Sequence, residues 1–196
     1  AVKYGKEEAR GTVKVEADPQ LGSSEADWQA WDAAVNRAGQ LQNAVTDAIE
    51  RVSATRSDVR VVLSKLDARS QERERSGNTA GSGGNDPDRD LRQAARDLQK
   101  KLDAVERKLF VPPGTKGIVE DRTAQRGLES MRRYLSSSFA TPTGTVKGHM
   151  DNAEATVREV LAEVNKLYAE EVPAFRQKVT AAKIDLLGTP GPIKVK

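Results

Sequence analysis

Few side chains in this sequence are able to do chemistry. His149 is the only histidine, and it lies between Gly148 and Asp151 near a helix start. Nucleophilic triads and most catalytic metal sites need a histidine held by partners at fixed geometry. A solvated or capping histidine is the simpler reading of this position. Carboxylates stand side by side at Glu7-Glu8, Glu120-Asp121 and Glu170-Glu171. Adjacent helical residues point in different directions, so such pairs seldom share a proton. No Glu-x-x-His occurs, which excludes the di-iron bundle signature. Gly114-Thr115-Lys116-Gly117 has the residue types of a phosphate loop, but not its longer glycine spacing or a preceding strand, and reads as an inter-helix turn. The chain has no cysteine, so disulfides, thiolate catalysis and zinc fingers are excluded. The expectation is no catalytic residue, no cofactor, no metal and no enzyme. What remains is Trp28 and Trp31, on one face of the first helix. They read as core packing at a bundle end, as a ligand platform, or as a docking surface for a neighbouring β domain.

The elements that would position these residues are clear from periodicity. Apolar residues recur in steps of three and four at Trp28, Trp31, Val35, Ala38, Val45, Ile49, Val52, Val59, Leu63 and Leu66. Leu91, Ala95, Leu98, Leu102, Val105 and Leu109 repeat the pattern. Only helices that bury one stripe against other helices need this spacing. Gln42 and Arg56 occupy core-type positions in the first stripe, as register-setting residues or points of solvent contact.

Residues 1–21 differ from the rest. Thr12-Val13-Lys14-Val15-Glu16 alternates and is rich in β-branched residues, which predicts a short strand ending at Asp18-Pro19. A lone strand is unstable in water, so Val2–Tyr4 or a sheet outside this sequence is its expected partner. The first helix is expected from a Ser23 or Ser24 cap to about Arg69. A polar, glycine-rich linker covers 70–88. The second helix starts at Asp86 or Asp88 and ends at Val111, before Pro112-Pro113. The third begins near Asp121 and carries Ala124, Leu128, Met131, Leu135 and Phe139 on one face. The fourth runs from Val146 through Met150, Ala153, Val157, Val160, Leu161, Val164, Leu167 and Tyr168. Pro173 is expected to kink or restart it, with Phe175 and Val179 continuing the stripe. The predicted fold is mainly α: an antiparallel up-and-down four-helix bundle over 22–187, preceded by a β-strand or hairpin segment and followed by a tail at 188–196. The first and fourth helices are the long pair.

Charged residues make up 31% of the 196 residues, aromatics only 4%, and net charge is +3. Both signs are interspersed, with no basic face of the kind nucleic acids require. No apolar run approaches the ~20 residues that span a bilayer. The first residue is Ala1 rather than Met, which suggests a signal peptide or a larger N-terminal part upstream.

The run Gly11-Thr12-Val13-Lys14-Val15-Glu16-Ala17-Asp18-Pro19-Gln20-Leu21, followed by a Ser-capped helix, resembles a junction in bacterial secreted sortilin-like (BNR-repeat) β-propeller proteins, often labelled glycosyl hydrolases. Leu102-Asp103-Ala104-Val105-Glu106 and Glu171-Val172-Pro173-Ala174-Phe175 also resemble that family's C-terminal helical domain. Gln20 and Arg176 depart from its pattern, where Arg and Asn are usual, and so does the glycine-rich insert at 77–84. The resemblance implies a periplasmic or extracellular protein whose residues 1–17 complete a β-sandwich edge. It places any hydrolase activity in a propeller outside this sequence. The leading expectation is a non-catalytic helical interaction or scaffold module that presents helix faces to a protein partner or envelope assembly. Two alternatives stand beside it. One is an accessory domain of a glycoside-processing hydrolase; the other is a coiled-coil adaptor that dimerises through the Val35-to-Leu66 seam.

Overall fold

The structure is a computed structural model that describes residues 1–14, 16, 20, 22–76, 88–112, 114–115 and 122–184. It is mainly α, as expected. A hairpin of β1 (Val2–Tyr4) and β2 (Glu7–Ala9) precedes four helices: α1 (Glu25–Arg75), α2 (Arg89–Leu109), α3 (Ala124–Ser136) and α4 (Gly144–Ala181). At 51 residues, α1 is roughly 75 Å long. Neither α2 nor α3 can cover a stripe of that length alone.

The two short helices solve this by following one another. Arg56 faces Asp103 and Glu106, and Arg69 faces Asp88, so α2 descends antiparallel along the C-terminal half of α1. The Trp31 indole donates to the Leu135 carbonyl at 2.9 Å, which places the end of α3 beside the start of α1. Then α4, with 38 residues, climbs along most of α1. It is antiparallel to α3, where His149 meets Tyr134, and to α2, where Glu163 meets Lys108. It is parallel to α1: Thr55 bonds Tyr168 and Arg69 bonds the Ala182 carbonyl, a constant offset of 113 residues. The four helices thus fill three columns, with α2 and α3 sharing one.

This arrangement explains which α1 residues are buried. Val45, Val52, Val59 and Leu66 of the predicted stripe are fully enclosed, but Val35, Ile49 and Leu63 are half-buried. Ala34, Leu41, Ala48 and Val62 join the core instead. The buried stripe is wider than a single coiled-coil seam because α1 faces two columns at once. The narrower stripe of α2 is buried at all six predicted positions, as is that of α3 from Ala124 to Leu135.

Several boundaries differ from expectation. The predicted linker at 70–88 begins too early: α1 continues to Arg75, and Arg73 reaches Asp88 at 3.0 Å across the connection. The remaining glycine-rich part of that linker and the tail at 188–196 lie outside the described residues. Thr12, Val13, Lys14 and Glu16 form no strand. The second strand is Glu7–Ala9, because Gly5 takes a positive φ of 61° and lets the chain reverse between Tyr4 and Glu7. The second helix starts at Arg89, after Asp88, and stops at Leu109 rather than Val111, with Phe110 already extended. The third starts at Ala124, not near Asp121, because the Thr123 side chain accepts from the Arg126 amide. It ends before Phe139, which lies in a bend.

Pro173 does not restart the fourth helix, which is continuous across it. Proline has no N–H, so the Ala169 carbonyl loses its intrahelical donor there. Replacing Pro173 with Ala should therefore stabilise the protein, by up to about 3 kcal/mol. Urea unfolding followed by helical circular dichroism measures this; a lower midpoint in the variant would contradict a helix that runs through the position.

Candidate docking surfaces

The base of the bundle is built around Trp28 and Trp31. The Ser24 hydroxyl accepts from the Asp27 amide, and the Asp27 carboxylate accepts from the Ser24 amide at 2.9 Å, closing a capping box at the start of α1. Asp27 also accepts from the Thr141 hydroxyl at 2.5 Å, which ties the α3–α4 connection to the first helix. These bonds, Thr141 first, hold the Asp27 carboxyl down at about 2. One turn on, the three rings of Trp28, Trp31 and Phe139 meet. Phe139 stacks on Trp28 at 5.8 Å, and Trp31 meets both edge-on. Phe139 stays 51% exposed. The Trp28 indole nitrogen is enclosed and has no hydrogen-bond partner among the described residues. Beside Trp31, a groove of about 370 Å³ opens between α1 and α3, with Leu135 as apolar floor and Gln42 and Arg132 on its rim. The structure brings the two tryptophans together as packing for the α3–α4 connection. Both tryptophans are half-buried, and Phe139 is the most exposed ring of the cluster.

The hairpin is the second surface. Val2, Tyr4, Glu7 and Ala9 share one face, while Lys3 and Glu8 share the other and pair at 3.5 Å. Val2 is 73% and Tyr4 87% exposed, and the hairpin touches no helix. The third surface is the flank between α1 and α4. Because these two helices are parallel and the third column lies behind them, their outer groove is open. It holds about 520 Å³, with Val61, Val172, Pro173 and Phe175 as its apolar part and Asp58 and Arg176 on opposite walls.

Among the described residues, the other sequence candidates do not assemble into a site. His149 is exposed and stacks on Tyr134, with ring centroids 4.3 Å apart and planes 12° from parallel. Glu8 pairs with Arg10 and Lys3, while Glu7 lies on the opposite face of its strand. Glu171 pairs with Lys101 across the α2–α4 groove. Glu120-Asp121 and Lys116-Gly117 lie outside the described residues. Gly114-Thr115 forms a tight turn, with the Thr115 hydroxyl bonded to the Pro112 carbonyl at 2.7 Å. Among the described residues, no three His, Asp or Glu side chains gather as metal ligands. No helix of those residues is long and apolar enough to cross a membrane.

The acidic residues that lock the bundle are not legible in the sequence. Glu106 is buried between Val105 and Leu109, and its carboxylate takes a 2.6 Å bond from Arg56. Asp88 is only 2% exposed and is held by Arg69 and Arg73. Arg56 was visible as a polar residue in an apolar stripe. Glu106 and Asp88 gave no such signal, because acidic residues at a helix flank and a helix start are ordinary. Arg37 bonds Glu154 and holds its carboxyl below the usual range, joining α1 to α4 near the base. No family model matches the chain, and no curated protein or solved structure matches it either.

The depressed Asp27 carboxyl makes the base sensitive to acid. An unfolded aspartate titrates near its ordinary value, so the bonds made by the Asp27 carboxylate stabilise the fold fully above about pH 4. That contribution is lost as pH falls through about 2. Both tryptophans of the chain lie at this end, so their fluorescence reports it. It should change between pH 4 and about 2 before the helical signal does, and Asp27→Asn should abolish that early phase. Coincident loss of both signals in the native chain would contradict the assignment.

Proposed function

We propose that this chain is a non-catalytic helical interaction and scaffold module of an exported bacterial protein. In this reading the three-column bundle is a rigid strut. Its hairpin and base attach to a β domain, and its long flank is presented to a protein partner or envelope assembly. The observation that carries it is the hairpin. An isolated two-stranded hairpin is marginal in water, yet this one turns Val2 and Tyr4 outward and makes no contact with the bundle. Free strand edges and exposed Val2 and Tyr4 suit addition to the edge of another sheet. The resemblance of 11–21 to the junction of sortilin-like β-propeller proteins points the same way and supports the exported location.

The test uses a photo-crosslinking residue at Tyr4 in the native host, with the same residue at exposed Arg96 on α2 as control. The expected result is an exported protein in which position 4 links to one β-rich domain, identified by the linked peptide, and position 96 does not. A cytosolic protein, or equal linking from both positions, would overturn the proposal.

A further inference from the structure

The flank of α1 carries a second row of residues, outside the core stripe. Ala54, Asp58, Val61, Lys65 and Ala68 follow one another in steps of four and three, so they lie along one line of the helix. Val61 is 45% exposed at the middle of the row, and Ala54, Asp58 and Ala68 are exposed with it. Asp58 and Lys65 form no ion pair among the described residues, unlike Asp88, Glu106, Glu154, Glu163 and Glu171 elsewhere in the bundle.

The order of residue types in this row reads the same from either end, with the charges exchanged. Taking Val61 as the centre, Ala54 mirrors Ala68, and Asp58 falls opposite a point beside Lys65. A twofold axis through Val61, perpendicular to α1, would therefore set Val61 against Val61, alanine against alanine and acid against base. The α4 wall fits the same operation. With α4 offset from α1 by 113 residues, Arg176 stands level with position 63 of α1. An incoming Asp58 would arrive at level 64, between Lys65 and Arg176, and both of those line or flank the open groove. The opposite orientation, with the two α1 helices parallel, would set Asp58 against Asp58 and Lys65 against Lys65.

We infer that the α1–α4 flank binds a second copy of this chain, in an antiparallel twofold dimer centred on Val61, with Asp58 of each copy seated between Lys65 and Arg176 of the other. Such an interface is isologous and closes on itself. The row spans roughly 21 Å of helix, which places the contact at the small end of specific interfaces and makes the dimer reversible. This dimer does not use the Val35-to-Leu66 seam, whose Val45, Val52, Val59 and Leu66 are buried inside the bundle. It goes beyond the proposed function and does not depend on the hairpin.

Sedimentation equilibrium of the full chain over a wide concentration range tests it, using substitutions at exposed or half-buried surface positions and circular dichroism to confirm folding. The native chain should dimerise. Asp58→Lys should weaken association by about tenfold or more, since like charges then face each other. The double variant Lys65→Asp/Arg176→Asp should do the same. Mixed in equal amounts, those two variants should form a heterodimer, because each then supplies the charge the other lacks. The chain has no native cysteine, so Val61→Cys should give a disulfide-linked dimer on mild oxidation while Arg96→Cys does not. A native chain that stays monomeric overturns the inference. So does a dimer that ignores the charge reversals, which would use another face, or two variants that fail to associate when mixed.

Discussion

Everything in this fold follows from the length of α1. A helix of 51 residues with an apolar stripe along most of it must be covered along most of it. Among the described residues its neighbours are one long helix, α4 with 38 residues, and two short ones. Laying the short ones end to end gives the buried stripe of α1, from Ala34 to Leu66, a neighbouring column on each side. Had α2 and α3 packed side by side, half of α1 would have stood in water. Loss of that burial would cost far more than any of the polar contacts described here.

Those polar contacts have a different role. Apolar helix faces slide past one another at small cost, and charged or hydrogen-bonded pairs fix where they stop. Arg56 with Glu106 sets the height of α2 against α1, and Arg69 with Asp88 fixes its top. Thr55 with Tyr168 and Arg37 with Glu154 set α4 against α1. Asp27 with Thr141 closes the base. Two pairs tie α1 to α2, two tie α1 to α4 and one ties α1 to the α3–α4 connection, so together they define one register for three columns. The buried carboxylates of Glu106 and Asp88 would be costly alone. They are tolerated because arginines from α1 reach them.

The sequence announced the helices well, and announced their arrangement poorly. The α2 stripe was read residue for residue, because that helix faces the core with one regular face. The α1 stripe is wider than its heptad seam, because a single seam cannot show that two columns share the helix. The tandem placement of α2 and α3 was not legible at all: periodicity gives faces and lengths, and neither says which helices lie in line. The strand at Thr12–Glu16 was misplaced because β-branched alternation outweighed a turn that hangs on one glycine, Gly5. Trp28 and Trp31 were correctly paired on one face. That Phe139 completes their cluster needed the bend after α3, which brings it back onto rings more than 100 residues away.

What emerges is a long, narrow body whose interior holds itself together and whose ends and one flank face outward. The tandem column of α2 and α3 defines this body, and a distance measurement reaches it directly. The chain lacks cysteine, so spin labels can be placed at Asp97→Cys on α2 and Glu129→Cys on α3, both exposed. Their partners on α1 lie near positions 62 and 37, judged from the Arg56–Asp103 and Trp31–Leu135 contacts. That separation of about 25 residues corresponds to roughly 37 Å along the bundle. Double electron–electron resonance should give a distance near that value. A distance below about 20 Å, as expected for α2 and α3 packed side by side with axes 8–10 Å apart, would contradict the account.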